Sequence, residues 1–303
     1  MMELTIWDLG ALAAKLAAYL GCFLAMGSTL YGLATPGLDA PMKKRLARLV
    51  VSTVIIAVLA SLAQIAVQSG RLLDEGFAGM VDPEMLALVR EGPLGTSVAL
   101  RLLGLGLLFL SALQIPLTWL IGAVGAVITA SSFSFVGHGT GDPRLVLATL
   151  VTLHLLGISF WIGALWPLRT VAANGQKNGD DLPTTRVLAH RFGMQAAWVV
   201  GGLVLAGLVL AILILGSPLA LFTSQYGLTL VAKLAGVGLL LGLAAANKLR
   251  FVPAIQRGDA SAAGHLRTSI LWEMFVVLLI LVVTAVLTTI TPLPETMEMT
   301  NGS

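Results

Sequence analysis

Charge is what this chain has least of. Of its 303 residues only 11% are charged, while 57% are hydrophobic, and the mean hydropathy is +0.94. A soluble domain carries about 25% charged residues, and its surface about 25–35%. The chain is long enough to build a core but too poor in charge to face water over most of its surface. That excludes a cytosolic enzyme and a disordered protein. Cysteine is nearly missing as well. The single Cys22 has no partner for an internal disulfide and makes no CxxC motif, which excludes a disulfide scaffold. The net charge of +3 is divided among several loops, with no basic block, so it points to membrane orientation and away from nucleic acid.

What is present in quantity is apolar sequence. A transmembrane helix needs about 20 apolar residues at about 1.5 Å each. Eight stretches qualify: Leu9–Leu33, Leu49–Gln68, Leu94–Leu113, Pro116–Val136, Leu145–Leu168, Phe192–Gly216, Tyr226–Asn247 and Ser269–Ile290. The third and fourth come from one run, residues 102–141, with no formal charge and a turn near Gln114-Ile115-Pro116. Two full spans fit there only if the third begins near Leu94, which places Arg101 inside the membrane. The expected fold is all-α: a single polytopic bundle over residues 1–303, with membrane lipid as its surroundings. The 33 glycines fall mostly inside these spans, which suits close helix packing in lipid. The first eight residues carry no basic group, so they do not read as a cleaved signal peptide.

The loops give sidedness. Segments 34–48, 169–191 and 248–268 hold four basic residues each, twelve of the 18 in the chain. The opposite loops hold Arg71, Arg90 and Arg144 among six acids. The excess of lysine and arginine marks the cytoplasmic side, so both termini are expected outside, in the periplasm of a bacterium.

Ionisable residues within spans are costly and mark function. They are Lys15, Arg101, His154, Lys233 and Glu273. In this topology Lys15, Arg101 and Lys233 fall in the outer third, and His154 enters from the same side. Lys15 and Arg101 either snorkel to the headgroups or line an outward-facing polar cavity with Lys233, His138 and His154. Glu273 sits near the inner face, as a partner for Arg267 or Lys248 or as a proton-coupling group. Neutral imidazole is a good copper or iron ligand, which makes His138 and His154 metal candidates. On helix 1, Lys15, Tyr19, Cys22 and Met26 share one face, and Cys22 with Met26 offers a soft pair suited to Cu(I). In the tail, Met297 and Met299 alternate with Glu295 and Glu298 and could capture copper outside.

Several segments together resemble the copper-resistance protein D (CopD) family. They are Gly137-His138-Gly139; the helix from His154 through Trp161, Gly163 and Trp166-Pro167; Arg191-Phe192; Tyr226-Gly227 with Lys233, Asn247 and Pro253; and Arg267 with Glu273, followed by Pro292. The resemblance is clearest over residues 137–292; the first half matches mainly in hydropathy and span count. It implies copper movement across, or copper handling at, the inner membrane, with a permease favoured over a catalyst and with Trp161 and Asn247 joining the polar positions. Some members have a periplasmic copper-binding partner of the CopC type; no outer segment here is long enough for one, so the resemblance implies a separate partner or none. The family is also distantly similar to haem-containing protoporphyrinogen oxidases. That implies the alternative of haem b, with His154 as axial ligand and Lys15, Arg101 and Lys233 on the propionates.

Overall fold

A computed structural model describes residues 5–74, 76–136, 143–177, 182–215 and 220–290. The described residues form eleven α-helices: α1 Ile6–Ala34, α2 Ala40–Leu73, α3 Pro83–Glu91, α4 Pro93–Leu110, α5 Pro116–Ser132, α6 Arg144–Lys177, α7 Leu182–Leu215, α8 Ala220–Thr223, α9 Gln225–Ala246, α10 Val252–Gln256 and α11 Ala260–Thr289. A π-helical turn, Asn247–Phe251, joins α9 to α10. Among the described residues eight helices are long and apolar enough to cross a membrane, so the chain is a multi-pass membrane protein. They are the eight spans expected from the sequence.

Local chemistry sets the ends. Thr5 and Asp8 form a capping box at the start of α1, with Asp8 N donating to Thr5 Oγ1 at 3.2 Å and Thr5 N to Asp8 Oδ2 at 3.0 Å. Asp39 accepts from Met42 N at 2.9 Å and is followed by Pro41 in the first turn of α2. Side-chain acceptors at this position satisfy amides that have no intrahelical partner. The short hairpin α4–α5 turns at Gln114 in the left-handed conformation, φ 63°. The Gln114 amide donates to the Lys43 carbonyl at 2.6 Å and ties this turn to the start of α2.

Three helices begin earlier than the apolar pattern indicates. α2, α7 and α11 start at Ala40, Leu182 and Ala260, nine or ten residues before the expected Leu49, Phe192 and Ser269. All three extensions lie at the basic end of the bundle. Hydropathy marks the lipid-facing part of a helix, whereas the backbone keeps its i→i−4 bonds beyond the hydrocarbon.

α1 is the centre of the bundle, packed against α2, α5, α6 and α11. Glycine lets backbones meet at the α1–α6 crossing. A Cβ on Gly27 would overlap the Ser159 carbonyl oxygen and lie 2.8 Å from Gly163 N. At the α4–α5 crossing a Cβ on Gly104 would lie 2.7 Å from Gly125 O. Close approach of small residues replaces hydrophobic driving force within lipid. α7 and α9 sit at the edge. α7 packs mainly on α6, and α9 on α11, and both expose large apolar residues such as Trp198, Leu205, Leu228 and Leu239.

Candidate functional site

The polar residues inside the spans fall into three groups. The first surrounds α1 and α4. Arg101 is 1% exposed and therefore does not snorkel. Its guanidinium donates to Gln64 Oε1 at 3.0 Å, Ser97 Oγ at 3.1 Å, Ser132 Oγ at 3.3 Å and Ser61 Oγ at 3.5 Å. Its Cζ lies 4.1 Å from the centre of the Phe133 ring. Phe133 in turn packs on Tyr19 and Phe23. Four neutral acceptors and an aromatic face thus do what a carboxylate would do elsewhere. Lys15 Nζ donates to the Thr288 carbonyl at 2.7 Å, in the last turn of α11, where the helix dipole favours a cation. Tyr19 Oη and Thr288 Oγ1 are 3.2 Å apart. Cys22 and Met26 are fully buried on the same helix.

The second group is built around Glu273. It is 2% exposed, and its expected pairing with Arg267 or Lys248 does not occur. Trp161 Nε1 donates to Glu273 Oε2 at 3.2 Å, and the Asn247 amide donates to Oε1. Arg267 instead reaches Gln176 Oε1 at 3.5 Å. Arg267 and Glu273 are six residues apart on α11 and so do not share a helix face. Asn247 owes its position to the π turn. Val252 N donates five residues back to Asn247 O. Pro253, one residue on, has no N–H to continue the regular ladder. Single π turns within helices recur at functional sites. These three residues lie on the wall of a cavity of about 340 Å³, enclosed by α6, α7, α9 with its π turn, α10 and α11.

The third group is His154 with Lys233. The imidazole lies close to Leu203 on α7 and within the field of the Lys233 ammonium. Its Nδ1 is buried and has no partner. Gly207 leaves room for the ring: a Cβ there would lie 3.6 Å from His154 Cε1. Lys233 acts on His154, while Arg101 acts on Lys15. The described residues contain no group of three or more His, Cys, Asp or Glu able to hold a metal.

Two family models match the chain. Copper resistance protein D matches residues 186–287, and copper resistance protein D-like, N-terminal domain, matches residues 5–145. The chain belongs to the copper resistance protein D family. It is 27% identical to copper resistance protein D of Pseudomonas syringae pv. tomato, over 93% of this chain and 96% of the relative. It is 23% identical to inner membrane protein YebZ of Escherichia coli (strain K12), over 89% and 95%. No solved structure matches.

In this CopD chain the N-terminal match carries Lys15, Cys22, Met26 and Arg101, so the likeness extends through the half where the sequence offered mainly hydropathy. The other match carries Lys233, Asn247 and Glu273. His154 and Trp161 lie between the two. His138, Met297 and Met299 lie outside the described residues. Sequence reading missed Ser61, Gln64, Ser97 and Ser132, because uncharged polar residues are common in spans. The signal was there in their spacing: Ser61 and Gln64 are three apart, and Ser97 and Arg101 four apart, so each pair shares a helix face.

Proposed function

We propose that this membrane protein moves copper ions across the bacterial inner membrane, with both termini on the periplasmic side. The observation that carries the reading is the His154 ring. It lies within the α6 span, and its buried Nδ1 is left without a hydrogen-bond partner. A buried imidazole nitrogen with no hydrogen bond is available to a soft or borderline metal. The Cys22–Met26 pair supplies further soft donors in the core, and the tail residues Met297 and Met299, with His138, supply the capture step. Separate weak sites suit conduction, since an ion must leave each one. A CopC-type periplasmic protein would deliver the ion. Inward movement of a cation gains about 2.3 kcal/mol per 100 mV of membrane potential.

One observation favours a second reading. Lys233 stands beside His154 with no anionic partner among the described residues, and a haem propionate would supply that charge while His154 served as axial ligand. Metal analysis and a visible spectrum of the purified protein separate the two. Copper transport predicts bound copper after loading, reduced in His154→Ala, and no Soret band. A Soret band lost in His154→Ala would replace copper by haem at this site. Orientation has its own test. A cysteine placed at Met297 in a Cys22→Ser background is expected to react with an impermeant reagent added from the periplasmic side. Reaction only after the membrane is ruptured would reverse the topology.

A further inference from the structure

The copper pathway uses imidazole and sulfur and leaves the cavity beside Glu273 without a role. At about 340 Å³ it lies within the range of small-molecule sites. Its walls are almost wholly apolar, from Leu165 and Leu168 on α6 to Val200, Leu241 and Ile270 on the other helices. Polar groups enter in one cluster, the Trp161 indole, the Asn247 amide and the Glu273 carboxyl, with the neighbouring Lys248 on the basic side. Within that cluster Asn247 Oδ1 is buried and receives no hydrogen bond. A buried acceptor left in this state costs free energy until a donor reaches it.

These features define an occupant. It must be apolar over most of its surface, and it must bring a donor to Asn247 Oδ1. It must also come from the bilayer, because α7 and α9 flank the cavity and both face lipid. An acyl chain brings no donor. A phospholipid headgroup is too polar for these walls and holds its phosphate at the membrane surface. A hydroxyl-bearing aromatic ring with an apolar tail meets all three conditions. Trp161 and Phe192 line the cavity from α6 and α7 and offer aromatic faces to such a ring, with α7 and α9 flanking the way for its tail.

We propose that this cavity binds an isoprenoid quinol, with a ring hydroxyl donating to Asn247 Oδ1 beside the Trp161–Glu273 pair. The site is separate from the proposed copper pathway, so failure of either leaves the other standing. The test is equilibrium binding of a tritiated decyl-substituted ubiquinol, kept reduced, to the full chain in nanodiscs of synthetic phospholipid. Saturable binding is expected, weakened about tenfold in Asn247→Leu. Gly193 lines the cavity, and a Cβ there meets nothing within 4 Å. Gly193→Leu should therefore fill the space and abolish binding while the unfolding temperature is retained. Excess free fatty acid should not displace the quinol. No saturable binding, unchanged affinity in either variant, or displacement by fatty acid would overturn the proposal.

Discussion

Gly27→Ala is expected to disrupt the bundle strongly. The added Cβ would meet the Ser159 carbonyl oxygen and the Gly163 amide, both backbone atoms of α6. A flexible side chain could move aside, but a packed helix cannot without opening its other contacts. Overpacking costs typically about 1–3 kcal/mol and occasionally more. This site belongs at the upper end, about 3 kcal/mol, because α1 and α6 must separate along the centre of the molecule. Gly202→Ala is the control, since a Cβ there meets nothing within 4 Å. It should leave stability unchanged or raise it slightly, as alanine is the better helix former. Thermal unfolding of both variants in one detergent checks this, and equal midpoints would show that the crossing tolerates a side chain.

Arg101→Met carries the second large effect. The variant has similar length but no donors. Gln64 Oε1 and the Ser61, Ser97 and Ser132 hydroxyls would lose the hydrogen bonds they now accept, and Phe133 would lose its cation. Leaving a buried polar group unsatisfied costs about 1–3 kcal/mol. Some of these hydroxyls keep other bonds, such as Ser97 Oγ donating to Ser132 O at 2.7 Å, so the expected total is about 3 kcal/mol. Arg101→Lys keeps the charge but presents three donors on one atom in place of a planar fork. It should recover less than half of the loss. Full recovery by lysine would mean that the charge, and not the hydrogen-bond geometry, holds this region together.

These two sites show what could and could not be read from sequence. The eight spans were legible because lipid demands continuous apolar helices, and hydropathy measures that demand directly. The overhanging starts at Ala40, Leu182 and Ala260 were not, since water-exposed turns carry no apolar signal. Asp39 and Asp259 did mark two of them, each accepting a bond from an amide in the first turn. Glu273 was expected near the inner surface and is instead 2% exposed. Its partners are 112 and 26 residues away, and no local pattern encodes such contacts. Arg101 was correctly placed in the membrane by the length of the uncharged run. Its accommodation there required two other helices, α2 and α5, and its own α4 to contribute hydroxyls and an amide, which the charged residues alone conceal.

The cluster of cations towards one side of the membrane also has a physical account. Lys15 is held by a helix C-terminal carbonyl, and Arg101 by neutral acceptors and a ring. Neither needs an anionic cargo. Lys233 acts on His154, the donor claimed by both copper and haem, so the competition between them turns on the surroundings of His154.

Copper uptake into proteoliposomes tests the central proposal most directly. Purified protein is reconstituted, an interior-negative potential is imposed, and copper inside the vesicles is measured over time. Uptake above that of protein-free vesicles is expected, increasing with the potential and falling about tenfold or more in His154→Ala. Uptake equal to that of empty vesicles, or a rate unchanged by His154→Ala, would contradict copper passage through this imidazole.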